Sequence, residues 1–202
     1  MSDIDLYLAS GSPRRGEILS QLGVRYQRLS AEIDESRQGL ESPHEYVKRL
    51  AVEKAAAGWQ ALCASGLPLR PVLAADTTVA LGNCILGKPT DAADAYAMLS
   101  QLSGQCHEVL TAVAIQEGER VELALSVSIV EFAPLSAEQI HAYIATGEPM
   151  DKAGSYGIQG LAGLFVRDLQ GSFSGVMGLP VFETGQLCAA FGLHLPRREV
   201  NL

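Results

Sequence analysis

The segment Leu6-Tyr7-Leu8-Ala9-Ser10-Gly11-Ser12-Pro13-Arg14-Arg15 passes from apolar residues through a turn into a helix start. Residues 6–9 read as a short buried strand, which Ser10-Gly11-Ser12-Pro13 breaks. Ser12 is placed as the N-cap and Pro13 as the first helical residue, where its fixed φ suits the helix and its missing N–H is no loss. Ile18, Leu19 and Leu22 supply an apolar stripe, and Gly23 suits the helix end. Strand, tight turn and helix in that order open an α/β protein.

Downstream, a second strand is predicted at about 26–31, ahead of the acidic segment Glu32-Ile33-Asp34-Glu35. Ser42-Pro43-His44-Glu45 combines a capping box with proline at the first helical position, the best-marked helix start in the chain, and the helix runs to about Cys63. Residues 72–75 form a buried strand ending at Asp76, with 77–81 continuing extended and 84–86 returning after Gly82-Asn83. Thr90 is predicted to cap a helix over 91–102. Val109, Thr111, Val113 and Ile115 alternate with Leu110, Ala112 and Ala114, so both faces are apolar or nearly so, as in a central strand. It joins 121–132 through Glu117-Gly118-Glu119 as a long hairpin. There follow a helix over 136–145, a glycine-punctuated loop over 151–160, a hairpin of 164–169 with 172–176 across Gln170-Gly171, and a last helix from Pro180. No internal repeat, low-complexity tract or linker interrupts the alternation, which predicts one mixed α/β unit over residues 1–202.

Composition restricts the function classes. Of 202 residues, 48% are hydrophobic, enough to bury a sizeable core. Lys and Arg number 15 against 23 Asp and Glu, a net charge of −8, and only 6% of residues are aromatic. A general nucleic-acid or anionic-membrane binder needs the opposite balance. Any anionic ligand must be met by a local basic cluster or a bound cation. Cys63, Cys84, Cys106 and Cys188 form no C-x-x-C pair, which leaves zinc and thioredoxin-like chemistry little support. The N-terminus carries two acids before a short apolar stretch, unlike a secretory signal, and no run approaches the ~20 apolar residues of a membrane span. The expectation is a cytoplasmic protein with reduced thiols and neither nucleic acid nor membrane as partner; a homodimer is left open.

Arg14 and Arg15 fall in the first turn of the first helix, where the macrodipole disfavours cations. Either both point into water, or the exposed amides of that turn, the hydroxyls of Ser10 and Ser12 and two guanidinium forks meet a phosphate. Lys54 falls on the stripe of Val47, Leu50 and Ala51; it either snorkels from the stripe's edge or reaches an anion in a cleft. Asp76 closes an apolar strand ahead of Thr77 and Thr78, a common place for a catalytic or metal-binding carboxylate in α/β enzymes. With Glu35 it forms a pair able to hold Mg²⁺ together with substrate phosphate, although surface acids are common. Lys88, between Gly87 and Pro89, is a loop lysine of a type that is usually only solvated.

In Asp151-Lys152-Ala153-Gly154-Ser155-Tyr156-Gly157-Ile158-Gln159-Gly160 glycine recurs at every third position. The spacing suits a plain turn, or a backbone that approaches a flat ligand closely. Gln159 offers an acceptor and a donor, a match for the N3–H and O4 of a uracil or thymine edge. Neither a P-loop nor G-x-G-x-x-G after a strand is present.

Taken in order, Leu8-Ala9-Ser10-Gly11-Ser12-Pro13-Arg14-Arg15, Ala74-Ala75-Asp76-Thr77, Gly87-Lys88-Pro89 and the 151–160 segment resemble the Maf family of nucleoside triphosphate pyrophosphatases over nearly the whole chain. Each motif is weak alone, and their order and spacing together are specific. The resemblance implies an elongated, twisted mixed sheet flanked by helices, in two lobes with a deep cleft, related to the inosine triphosphate pyrophosphatases. It also implies hydrolysis of a nucleoside triphosphate to monophosphate and pyrophosphate with a divalent cation, Mg²⁺ or Mn²⁺. Carried over, Asp76 matches the family's proposed catalytic acid/base, and Glu35 a carboxylate beside the metal that Asp76 also holds. Ser10, Arg14, Arg15, Lys54 and Lys88 match phosphate-side residues, with Lys88 expected to join the chemistry. Arg15, Thr77 and Gln159 match the subgroup acting on dTTP and UTP. The subgroup acting on 7-methyl-GTP differs there and is the runner-up. A nucleotide-binding regulator of cell division is a reading from another class, and a pure sensor would have no need for both Asp76 and Lys88.

The expected mechanism follows from charge. A triphosphate adds several negative charges to a protein already at −8, so Arg14, Arg15, Lys54, Lys88 and the metal must offset repulsion locally. Cleavage between the α- and β-phosphates needs an in-line water on the α-phosphorus and stabilisation of the leaving pyrophosphate. Asp76 is expected to orient or deprotonate that water. An ordinary aspartate, with a pKa of ~3.9, is a weak base, so metal lowering of the water's pKa is the more effective half of the argument.

Overall fold

The structure, a computed structural model, describes residues 4–195. Residues 1–3, which carry part of the N-terminal reading above, and those past 195 lie outside it. Strand β1 (Leu6–Ala9) is buried throughout and helix α1 (Pro13–Gln21) starts at Pro13, with Ser12 extended at the cap position. The Ser12 hydroxyl makes no capping bond. Proline and the turn start this helix instead, the turn being held by Ser12 N donating to Ser10 Oγ at 3.2 Å. Strand β2 (Tyr26–Leu29) stops short of the expected Ala31. Helix α2 (Pro43–Ser65) has the full capping box: Ser42 Oγ accepts from Glu45 N, the Glu45 carboxylate accepts from Ser42 N at 2.8 Å, and Gly66 ends the helix at φ 71°.

Strand β3 (Val72–Leu81) runs unbroken through Asp76 and returns through β4 (Cys84–Leu86). Helix α3 (Ala92–Leu102) is capped by Asp91, one residue later than expected. The Asp91 carboxylate accepts from Asp94 N at 2.8 Å, while Thr90 N and hydroxyl donate to Asp94. Strands β5 (Cys106–Glu117) and β6 (Arg120–Phe132) form the long hairpin, and α4 (Ala137–Ala145) follows with a Ser136–Gln139 capping box.

The expected hairpin of 164–169 with 172–176 does not form. Strand β7 (Val166–Gln170) pairs antiparallel with β6, and residues beyond it become helix α5 (Phe173–Met177), then α6 (Val181–Ala190). Gly171, at φ 127°, lies so close to Ser128 that a Cβ there would be 2.9 Å from the Ser128 Cα. Ser172 Oγ then accepts from Gly175 N at 3.0 Å, a cap that commits the segment to helix.

The seven strands form one mixed sheet in the order β2-β1-β3-β5-β6-β7, with β4 on β3. Strand β1 is parallel to β2 and β3, and the remaining pairs are antiparallel. Helix α2 packs on one face, setting Val47, Ala51, Ala55 and Leu62 against Tyr7, Ala9, Ala74 and Ala112. Ile18, Leu19, Leu187 and Cys188 cover the opposite face over Leu8, Leu73 and Val113. One flank of β3 is shared: β1 pairs at Val72 and Leu73, β4 at Val79 to Leu81. Residues 74–78 therefore have no strand beside them on that flank among the described residues. Asp76 and Thr77 sit in this gap. No helix among the described residues is long and apolar enough to cross a membrane.

The approach of α2 to the sheet depends on Gly58, where a Cβ would come within 2.7 Å of Ala9 Cβ and 2.9 Å of Val72 Cγ1. Gly58→Val overpacks this seam and should cost about 1–3 kcal/mol, read as a lower urea midpoint at unchanged slope.

Candidate active site

The gap beside β3 opens into a cavity of about 890 Å³. Ser10, Arg14, Arg15, Glu35, Lys54, Asp76, Thr77, Lys88 and Gln159, the nine residues singled out from the sequence, all line it. They arrive from the β1–α1 turn, the first turn of α1, the irregular segment after β2, α2, β3, the residues after β4 and the glycine-rich loop.

The floor is a charge network. Lys54 Nζ lies 2.7 Å from Asp76 Oδ1 and 2.7 Å from Glu35 Oε1, so one ammonium bridges both carboxylates. Lys54 therefore points into the cleft and does not snorkel to solvent. Asp76 is 7% exposed, in a strand whose Ala74 and Ala75 are fully buried. Burial works against the Glu35 carboxylate, but the hydrogen bond and charge of Lys54 outweigh it and hold its pKa below the usual value. Tyr46, which sequence reading missed, fixes the Glu35 segment by donating its hydroxyl to Glu35 O at 2.8 Å. Nothing in the local pattern marks Tyr46, because its partner belongs to a loop without periodicity.

The wall is built on Arg15. Its Nε donates to Gly178 O at 2.8 Å, Nη1 to Ser10 Oγ at 3.0 Å and Nη2 to Thr77 Oγ1 at 3.2 Å. Thr111 donates to Gly175 O at 2.7 Å, so the 3.0 Å contact between Thr77 and Thr111 has Thr77 as donor. The chain of bonds runs Arg15 to Thr77 to Thr111 to Gly175. Burial lowers the Arg15 pKa, partly offset by the Asp76 charge, without threatening its protonation. Three of the five guanidinium N–H groups are used, leaving two for a ligand. Arg14 is held more loosely, 3.9 Å from Asp151 across the cleft. Lys88 and Gln159 are exposed and make no hydrogen bond among the described residues.

The glycine-rich loop corrects one physical expectation. Its glycines allow close approach, but to the protein itself: a Cβ at Gly154 would press on Val79, one at Gly157 on Lys152, and one at Gly160 on Glu148. Lys152, missed as a functional candidate, is tied within the loop, donating to Asp151 Oδ1 and Glu148 O at 2.6 Å each. Tyr156 is buried and meets His107 Nε2 at 2.8 Å through its hydroxyl, within an edge-to-face cluster that includes Phe132.

Among the described residues no three His, Cys, Asp or Glu side chains converge as a metal cage. Asp76 and Glu35 nevertheless present oxygens to one shared cation, Lys54 Nζ. Two carboxylates with room for phosphate and water fit Mg²⁺ or Mn²⁺, which typically keep water and phosphate in their shell.

These features define a mixed α/β protein whose cleft sets basic side chains around a buried carboxylate, as binding and cleavage of a polyanion require. Residues 5–191 match the family model described as Maf-like protein, and the chain belongs to that family. A relative from Chromobacterium violaceum named dTTP/UTP pyrophosphatase is 53% identical, over 96% of this chain and 98% of that protein. Relatives of the same name from Aromatoleum aromaticum and Polaromonas sp. are 51% and 52% identical, each covering 94% of this chain and 97% of the relative. Among solved structures, the Staphylococcus aureus Ham1 protein aligns with TM-score 0.42 at 14% identity, over 64% of this chain and 72% of that one.

Burial pushes the His107 imidazole down to about 4 from its ordinary 6.5. The folded state then binds fewer protons than the unfolded chain between these values, so stability is lost as pH falls through that window. The loss should reach roughly 3 kcal/mol at its limit, and His107→Gln should flatten that part of the stability–pH curve, measured by urea unfolding from pH 7 to 4.

Proposed function

We propose that the protein hydrolyses dTTP and UTP to the nucleoside monophosphate and pyrophosphate, with a divalent cation, as an enzyme of nucleotide-pool housekeeping. The observation that carries the proposal is the convergence of Arg14, Arg15, Lys54 and Lys88 on one cleft with Asp76 and Glu35, with Gln159 on its wall. The names of the relatives at 51–53% identity over nearly the full length support the choice of substrate. All four cysteines are free, which agrees with a cytoplasmic setting.

In this reading Arg14, Arg15 and Lys88 bind the phosphates, the two unused N–H groups of Arg15 facing them from a fixed post. Ser10, whose oxygen accepts from Arg15 and Ser12, keeps its hydroxyl hydrogen for a phosphate oxygen. Asp76 and Glu35 would hold Mg²⁺ or Mn²⁺, which lowers the pKa of bound water and neutralises phosphate charge. Asp76 takes a proton from the attacking water, whose oxygen bonds to the α-phosphorus as the bond from that phosphorus to the bridging oxygen breaks. Lys88 meets the charge on the departing pyrophosphate. Thr77 acts by orienting Arg15, and Gln159 pairs with the N3–H and O4 of the base.

Purified protein with Mg²⁺ or Mn²⁺ should release pyrophosphate from dTTP and UTP, and EDTA should abolish the release; orthophosphate with a nucleoside diphosphate would show that the wrong bond is cut. Asp76→Asn, which removes charge at constant size, should lower kcat by at least ~100-fold in a folded protein. Turnover near wild type would move the proton-accepting role away from Asp76.

A further inference from the structure

We infer that Glu148 is a positioning residue for base selection: with Tyr143 it clamps the backbone on both sides of Gln159 and so fixes the amide that reads the pyrimidine edge. The inference rests on the function proposed above and names the part of the site that makes it selective.

After α4 the chain turns at Gly147, φ 76°, and Glu148 opens a short 3₁₀ turn, Glu148–Asp151. Thr146 Oγ1 accepts from Glu148 N at 3.2 Å and sets its direction. The Glu148 carboxylate then divides its two oxygens. Oε1 accepts from the Tyr143 hydroxyl at 2.9 Å, and Oε2 accepts from Leu161 N at 3.1 Å. The Tyr143 oxygen accepts in turn from Gly157 N at 3.3 Å. One anchor therefore lies two residues before Gln159 and the other two residues after it.

Between the anchors, Ile158 is buried against the apolar cluster and Gln159 is exposed. The Gln159 side chain makes no hydrogen bond among the described residues, so the backbone is what positions it in the cleft. Gly160 fits this role: a Cβ there would overlap the Glu148 carboxylate, so the glycine makes room for the clamp. Burial, and then the hydrogen bond to Glu148, raise the Tyr143 pKa well above its ordinary value, which keeps the hydroxyl a donor.

A carboxylate that merely stabilised the fold would affect all substrates alike, whereas one acting through Gln159 must change discrimination. The test compares kcat/KM for UTP and CTP in wild type, Glu148→Ala, Glu148→Gln, Tyr143→Phe, Gln159→Ala and the Glu148→Ala/Gln159→Ala double variant. Glu148→Ala should lower the UTP-to-CTP ratio at least ~5-fold, and Tyr143→Phe should lower it in the same direction. Glu148→Gln should retain most of the ratio, because its amide can accept from Leu161 N and donate to the Tyr143 oxygen. The double variant should show the same ratio as Gln159→Ala, the non-additivity of residues acting through one group.

Equal losses for UTP and CTP in Glu148→Ala, or a further fall of the ratio in the double variant, would overturn the inference while leaving the pyrophosphatase reading intact. An unchanged ratio in Gln159→Ala overturns it as well, by removing the group it acts through. If wild type releases no pyrophosphate, the activity fails on its own, and equilibrium binding of UTP and CTP to the same variants, read by calorimetry, still decides the role of Glu148.

Discussion

A carboxylate set inside an apolar strand imposes its requirements on everything around it. Asp76 sits among fully buried alanines on β3 and is itself 7% exposed, so its charge must be met by a partner within the fold. Lys54 is that partner. The 2.7 Å contact ties α2 to the sheet by charge as well as by packing, which fixes the height of the helix over β3. Ala51, Ala55 and Gly58 allow the approach that brings the lysine into reach. The same ammonium holds Glu35, whose segment has no regular structure and is steadied by Tyr46 and by Arg49, which grips Glu41 at 2.6 Å and Ser36 O at 2.9 Å.

The cleft mixes rigid and adaptable cations, and the division follows from their hydrogen bonds. Arg15 is fixed at three points and presents its remaining N–H groups in a constant direction, which is what electrostatic preorganisation requires. Arg14 and Lys88, held by one long ion pair and by none among the described residues, are the less constrained cations of the cleft. Lys54 belongs to neither group. It already neutralises the carboxylate pair, so a cation arriving at Asp76 and Glu35 must share or displace it.

Much of this architecture is written locally in the chain. The capping box at Ser42–Glu45, the proline at the start of α1 and the doubly apolar 109–115 run each depend on neighbours within a few residues, and each forms as read. The largest failure has a different cause. Residues 172–176 look like the return arm of a hairpin, yet the close pass of Gly171 over Ser128 and the Ser172 cap turn them into α5, a contact spanning 43 positions between Gly171 and Ser128 that no local pattern contains. The helix at 92–102 shifts its cap by one residue because Asp91 and Thr90 are both competent and the Asp94 amide takes the carboxylate.

Arg14, Arg15, Lys54 and Asp76 are legible by their incongruity: cations at a helix N-terminus, a lysine on an apolar stripe, an acid in a buried strand. Each breaks a rule that structure alone would obey, and each is satisfied only by a neighbour from a distant segment. Tyr46 and Glu148 break no rule where they stand, which is why sequence reading passes them over. Their roles exist only after the sheet leaves residues 74–78 without a flanking strand and the loops fold around that gap. The glycines of 151–160 show the same limit from the other side. Their spacing announces close approach, yet what approaches is Val79, Lys152 and Glu148, so the loop is shaped by the protein before any ligand enters. Gln159, which has no hydrogen-bond partner of its own among the described residues, is carried on that loop, so under the proposed function the selectivity of the cleft becomes a property of the backbone that carries it.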